Sequence, residues 1–359
     1  MSAEPPPPSQ SAAALGENPL QTPAIPAYAW VALALLTGLE LRLLMLLHAG
    51  HWRDQAMAAW GVTIGQPHWR VYQNRLGGPV LARLLSELGD WNPGVGLFAA
   101  LLLLVALRNA WVLWSGTQLG GSVHAGLRAM TLVAAGTVAL SDPDWVYLWD
   151  YTDLLVFSGT AWLILAGRGP RAWLIGFVGA LLCKESALFV ALGLCLTGLI
   201  REQDQRLRWG LHDRERVAAG IVAAIGGALL VEYLRSALLV QETMTQAAHQ
   251  SSATYTGLAH IVVVANLEQL VKNLYVPTFG QNWLVTALVL AVPVLLLRIR
   301  RRLDAPMTVI ALVLAALYLS MVFFGVVNET RLYTALVPLA VYLELALRRN
   351  SAATAVTTG

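Results

Sequence analysis

The sequence predicts an all-α, polytopic integral membrane protein of about ten transmembrane helices, some short, with interfacial helices in its outer loops. Hydrophobic residues make up 57% of the 359 and charged residues only 13%, about half the charge share of an ordinary soluble chain. Mean hydropathy is +0.60. Several apolar runs approach or exceed the ~20 residues that cross hydrocarbon as a helix. Alternating segments of about ten residues, the mark of an outer-membrane barrel, are not evident.

Residues 1–27 are rich in Pro, Ser and Ala and contain no Lys or Arg. A secretory signal begins with a basic region, so this stretch is predicted to be a disordered cytoplasmic tail ahead of a retained first helix. A single transmembrane domain then fills 28–349. Its predicted spans are 28–48, 93–114, 124–140, 151–167, 172–183, 186–200, 217–235, 283–297, 306–326 and 332–347. Residues 350–359 form a second disordered tail, and no soluble domain is expected after the last helix. No internal repeat is present.

Only two of the 24 basic residues are lysines, Lys184 and Lys272. No basic stripe with interleaved aromatics is present, so nucleic acid is not an expected partner. Cys183 and Cys195 lie in apolar sequence, match no metal or redox spacing, and are read as packing residues. Three polar segments separate the spans, at about 49–92, 141–150 and 236–282. The last includes "LAHIVVVANLEQLVKNLY", whose apolar spacing suits an interfacial helix with Glu268 and Lys272 paired on its wet face. The Trp-rich stretches (Trp52, Trp60, Trp69, Trp145, Trp149) are read first as an interfacial aromatic belt. A sugar-stacking platform is the sharper alternative.

The stretch "LLCKESALF" (181–189) places Lys184 beside Glu185 in a run with no other charge from Ala172 to Ile200. Ionisable groups at bilayer depth cost at least a few kcal/mol each and are usually functional. One helix over 172–200 would be about 44 Å long and would put the pair near the bilayer centre. A hairpin of two short helices puts it at the tip instead. Arg and Lys counts in the loops slightly favour one helix. Desolvation favours the hairpin, which is adopted. The basic connections 201–216 and 298–302, with Arg348 and Arg349, then face the cytoplasm, as do both termini.

With that topology four segments share the outer face. The first loop offers Asp54, Arg70, Tyr72, Asn74 and Arg75. The second offers Asp142, Asp144, Asp150 and Asp153, the last two spaced to share a helical face. The hairpin tip offers Lys184 and Glu185, and the last helix begins with Asn328, Glu329 and Arg331. Such a mixture at a membrane edge suits a lipid-linked phosphate, whose spread charge is held by Arg forks and a Lys point charge. Sugar transfer from that lipid needs a carboxylate to take the acceptor's proton. Asp54 is the predicted base, as the only acid between the first helix and Glu87. Arg75, Lys184 and Arg331 lead as phosphate partners.

Each of these residues has a plainer reading, since charged groups at helix ends often pair or snorkel merely to finish a span. His48, His51 and Asp54 fall at i, i+3 and i+6. Two His and one carboxylate fit an interfacial helix end better than a divalent metal site, so no metal or other cofactor is expected. Glu40 and Arg42 are read as structural pairing within the first span.

"LIGFVGALLCKESALFVALGLCL" resembles the Gly-rich short helix, central Lys and short returning helix of GT-C type membrane glycosyltransferases. "YQNRLGGPVLARLL", "LWDYTDLLVF", "CKESALF" and "NETRLYTALVP" are also similar to integral membrane proteins of bacterial polysaccharide biosynthesis. The resemblance implies a hairpin with its lysine toward the outer side. It implies an enzyme of the bacterial inner (plasma) membrane that moves a sugar from a polyprenyl-phosphate carrier to a glycan, lipid or protein acceptor. Asp54 carries over as general base and Lys184 as a group near the carrier phosphate. The adjacent acidic pair common in that loop is missing, because Asp54 is flanked by Arg53 and Gln55. Alternatives are a polymerase or ligase of lipid-linked polysaccharide, using His249, His260 and Lys272 of the long loop, and a non-catalytic glycan-lipid-binding or transport component. The spans are apolar apart from Glu40, Arg42 and Arg108, which disfavours transport.

Overall fold

The computed structural model describes residues 24–67, 72–141, 147–204, 206–240, 271–275, 283–324 and 329–358. Arg70, Asp142, Asp144, Asn328, His249, His260, Glu268 and the amino-terminal tail through residue 23 lie outside them, as do Trp69 and Trp145.

The helices are α1 (Ala27–His48), α2 (Trp52–Thr63), α3 (Gly77–Leu88), α4 (Pro93–Gly120), α5 (Val123–Leu140), α6 (Leu148–Leu165), α7 (Pro170–Leu181), α8 (Leu188–Leu199), α9 (Arg214–Ala237), α10 (Trp283–Ile299), α11 (Ala305–Phe324) and α12 (Leu336–Thr358). Six helical stretches among the described residues are long and apolar enough to cross a membrane: 27–63, 93–120, 123–140, 214–237, 305–323 and 330–351. That is fewer than the ten spans predicted. The shortfall has local causes. α7 and α8 have 12 residues each, α6 carries Asp150 and Asp153 in its first two turns, and α10 has 17 residues with Pro293 inside. Outward faces such as Leu35, Ile175, Val222, Ile225 and Leu297 are apolar and exposed, as hydrocarbon-facing surfaces must be. The chain is thus mostly helical, with the long apolar helices of a membrane protein.

One element is not helical. Ile200–Gln203 (β1) pairs antiparallel with Arg206–Trp209 (β2), turning through Asp204 at φ 52°. This ribbon lies at the start of the basic connection 201–216, for which the sequence predicts no strand. At the other end, α12 runs to Thr358, through the segment assigned to a tail.

Contacts between helices divide the loops into two faces. The indole Nε1 of Trp52 donates to the Gly94 carbonyl at 3.1 Å, so the end of α1 meets the start of α4 and the two run antiparallel. Midway along them Arg108 pairs with Glu40, both essentially without exposure. Asn109, Thr37 and Thr137 complete this buried network. α5 returns beside α4 after Gly121, which sits at φ 67° and lets the chain reverse without a Cβ clash.

The segment 172–200 is a hairpin. An added Cβ on Gly193 of α8 would lie 3.2 Å from the Trp173 ring of α7. In one straight helix those residues would stand about 30 Å apart. α9 packs closely on α8 because Gly220 faces Cys195 and Gly198 faces Val217. Small residues of this kind are what permit close helix contacts in lipid. Beyond Asp304, which accepts from Asn350 at 3.0 Å, α11 and α12 close the bundle.

Candidate functional site

The site forms on the face that holds the start of α6, the tip of the α7–α8 hairpin, the start of α3, the end of α9 and the entry to α12. Local chemistry builds each part. α7 ends at Leu181, leaving carbonyls that a helix cannot satisfy itself. The Gly77 N–H donates to the Leu182 carbonyl at 2.7 Å. Gly77 and Gly78 are needed for this approach: a Cβ on Gly77 would lie 2.6 Å from Cys183 Sγ, and one on Gly78 2.5 Å from Leu148 Cβ. Thus "NRLGG" is a docking turn. Arg75 N–H closes it onto Tyr72 at 2.9 Å, and Gln73 Nε2 anchors it to the Val62 carbonyl at 3.1 Å. Lys184 follows α7 in extended conformation (φ −168°, ψ 149°), so its side chain leaves the helix axis toward α6.

Asp150 and Asp153 share the α6 face that meets it. Lys184 Nζ lies 2.9 Å from Asp150 Oδ1 and 2.8 Å from Asp153 Oδ2. Ser186 Oγ donates to the other Asp153 oxygen at 2.5 Å. The second Asp150 oxygen accepts from Arg331 Nη1 at 3.0 Å, and Arg331 also pairs with Glu329. Glu185 turns the opposite way. It takes a two-pronged contact from Arg75, with Nε at 3.0 Å, a hydrogen bond from Asn74 Nδ2 at 3.3 Å, and a looser ion pair with Arg235 at 3.7 Å. Arg235 Nε donates to Asn74 Oδ1 at 3.0 Å.

Four carboxylates (Asp150, Asp153, Glu185, Glu329) therefore interlock with four cations (Arg75, Lys184, Arg235, Arg331). Most are strongly shielded; Lys184 is 9% exposed and Asp153 2%. Burial opposes the charge on Lys184, but Asp150 and Asp153 outweigh it and hold the amine above its ordinary pKa. Burial opposes the Arg75 charge as well, and Glu185 likewise keeps that guanidinium above its usual value.

An aromatic stack lies against the cations. Tyr147 and Trp149 are stacked with centroids 4.5 Å apart, and Tyr72 tilts onto both at 5.4 and 4.9 Å. Arg75 sits 4.7 Å above Tyr72, and Arg331 4.6 Å above Tyr147. These are cation–π distances. Burial, reinforced by Tyr72, raises the Tyr147 phenol well above its ordinary pKa, so it stays protonated. Trp149 is 1% exposed and belongs to this core, which corrects its assignment to an interfacial belt. Its indole is stacked inside the protein on Tyr147.

The structure brings together Tyr72, Asn74, Arg75, Asp150, Asp153, Lys184, Glu185, Glu329 and Arg331. Arg70 lies outside the described residues. Asp54 does not join them. It is exposed near the start of α2, eight residues before Val62, about 12 Å along the helix from the end that touches the aromatic stack. Among the described residues no group of three or more His, Cys, Asp or Glu is placed to hold a metal ion. Arg235, Ser186 and Tyr147 were missed from sequence. Arg235 ends an apolar helix and reads there like any snorkelling arginine, while the other two carry no signal beyond their neighbours.

Compared with known protein families, curated proteins and solved structures, the chain finds no match.

Proposed function

We propose that this cluster binds the phosphate of a polyprenyl-phosphate-linked sugar, and that the protein transfers the sugar to a glycan, lipid or protein acceptor. The supporting observation is that Asp150 bridges Lys184 and Arg331, beside the Arg75–Glu185 pair. Cations from separate chain segments converge there at one membrane edge. In the proposed reaction the bond from the anomeric carbon to the carrier phosphate oxygen breaks. A bond from that carbon to the acceptor oxygen forms, and the acceptor proton passes to a carboxylate. The electron pair stays on the phosphate, where arginine forks and the lysine stabilise it. Tyr72 offers an aromatic face for the sugar. Asp54, exposed on the helix leading into the site, is the proposed base.

The same reading places the site on the extracytoplasmic side of a bacterial inner membrane with both termini cytoplasmic. The basic connections 201–216, 298–302 and 348–349 sit on the opposite face, as the excess of positive charge on cytoplasmic loops requires. The experiment is complementation. In cells lacking the native gene, Asp54→Asn and Lys184→Ala should both be inserted yet give no glycan product per molecule of inserted protein. Normal product from both variants would defeat the reading. A second reading, a non-catalytic binder of glycan lipids, is favoured by the distance of Asp54 from the ion cluster. It is the outcome if Asp54→Asn is silent while Lys184→Ala is not.

A further inference from the structure

A cleft of about 300 Å³ opens between α4, α6, α7 and α8, running from Leu155 and Val190, close beneath the ion cluster, toward the opposite end of the bundle. That is the lower end of the range for ligand pockets. Trp111, Leu155, Gly159, Leu163, Trp173 and Gly176 line it. Along α6 it extends from Leu163 to Leu155, eight residues or about 12 Å. Glycine keeps it open: a Cβ on Gly159 or Gly176 would meet nothing within 4 Å. Beside Gly176 the surface of α7 is apolar, with Ile175 79% and Val178 56% exposed. The polar groups of two lining residues are bonded to backbone, Thr160 Oγ1 to Val156 at 2.8 Å and Trp173 Nε1 to Arg168 at 3.2 Å. Apart from the indole Nε1 of Trp111, which is buried without a hydrogen-bond partner, the rest of the lining is hydrocarbon.

The membrane-surface end of this cleft carries positive charge. Arg168 lies 4.9 Å over the Trp162 ring and presents its carbonyl to Trp173, a cleft residue. Arg171 is exposed in the first turn of α7. Neither forms an ion pair with a carboxylate among the described residues, in contrast to the fully matched cations of the opposite face. Apolar depth ending in unmatched arginines at the membrane surface fits one ligand class, since basic pockets between transmembrane helices hold anionic lipid headgroups.

We infer that this cleft is a second site, binding an anionic phospholipid with one acyl chain along Gly159 and Gly176 and its phosphate on Arg168 and Arg171. Its headgroup end, at Arg168 and Arg171, lies on the face opposite the ion cluster, and its test is separate from that of the proposed transfer reaction. The test is native mass spectrometry of the full chain in nonionic detergent, with phosphatidylglycerol or phosphatidylcholine added at equal concentration. Wild type should retain phosphatidylglycerol about tenfold better, from roughly a few-fold per surface cation. The double variant R168Q/R171Q should bind both lipids alike. G176L, which adds a side chain at a cleft position where a Cβ meets nothing within 4 Å, should lower phosphatidylglycerol retention severalfold while leaving the melting temperature unchanged. Free glycerophosphate should not compete. Equal retention of the two lipids by wild type, or undiminished phosphatidylglycerol binding by R168Q/R171Q, overturns the site. Competition by glycerophosphate, or an unaffected G176L, overturns the acyl-chain assignment.

Discussion

Lys184 Nζ and Asp150 Oδ1 meet at 2.9 Å, and the other oxygen of that carboxylate is held by Arg331 at 3.0 Å. The hairpin tip, α6 and the entry to α12 are thereby tied at one buried point. Removing one member of a buried ion pair leaves an uncompensated charge, at a cost of about 3–5 kcal/mol. Lys184→Met leaves two carboxylates facing one another and should lose about that much, read as a lowered melting temperature in detergent. Asp153→Asn, which leaves Asp150 to match the lysine, should lose clearly less. Equal losses would show that the two carboxylates share the lysine evenly.

The chain's two lysines make the electrostatics of the site measurable. An amine reacts with acylating reagents only when neutral, and Lys184 is held above the ordinary lysine value by Asp150 and Asp153 against the effect of burial. At about pH 8.5 Lys272, which is exposed to the reagent, should be labelled and Lys184 should not. Peptide mass spectrometry reads both. Asp150→Asn should lower the Lys184 amine toward its usual range and raise its labelling rate. Equal labelling of the two lysines in wild type would contradict the geometry.

Glu185 separates a strong arginine contact from a weak one. Arg75 grips it with two nitrogens and is 10% exposed, whereas Arg235 stands at 3.7 Å and is 19% exposed. A double-mutant cycle with Glu185→Gln should give a coupling of about 1.5–3 kcal/mol for Arg75→Gln, in the range of hydrogen bonds to charged groups. For Arg235→Gln it should be about 1 kcal/mol or less. The reverse order would move the anchor of the tip to α9.

Close backbone approach should be as important here as charge. Gly77→Ala puts a Cβ against Cys183 and Gly78→Ala puts one against Leu148, so each should destabilise by about 1–3 kcal/mol through overpacking. Gly176→Ala, with open space at its Cβ, is the matched control and should be neutral or slightly stabilising.

Away from the site, Arg108 and Glu40 form a pair with no exposure to speak of. Arg108→Met alone should be among the most destabilising changes in the chain. The double replacement Glu40→Leu/Arg108→Met should recover a large part of that loss, since apolar substitutes of similar volume often match a buried pair. Melting temperatures of the three variants check this.

How much of this was legible in the sequence depends on the kind of interaction. Long apolar runs show themselves by composition, and α4 and α9 extend through their predicted spans by only a few residues. Lys184 and Glu185 stood out because nothing else in their run is charged, and Tyr72, Arg75 and Arg331 because they cluster with other polar groups between spans. Partner choice was not legible. That Lys184 takes Asp150 and Asp153 while Glu185 takes Arg75 depends on the extended backbone at Lys184, which throws adjacent side chains to opposite sides. Arg235 was hidden because an arginine ending an apolar helix looks alike whether it snorkels or binds. The short ribbon at 200–209 was hidden because its alternation lies inside a charged connection. Trp149 looked interfacial because only the fold shows that Tyr72 and Tyr147 cover it.

The interlocked cations are proposed to hold a lipid phosphate at one membrane edge. The direct measurement is a titration of the purified protein with a fluorescent polyprenyl phosphate. Replacing Arg331 or Arg75 by glutamine should each weaken binding about 10- to 100-fold, the worth of one or two charge-assisted hydrogen bonds, while Arg168→Gln leaves it unchanged. Wild-type affinity in both of the first two variants would contradict the account.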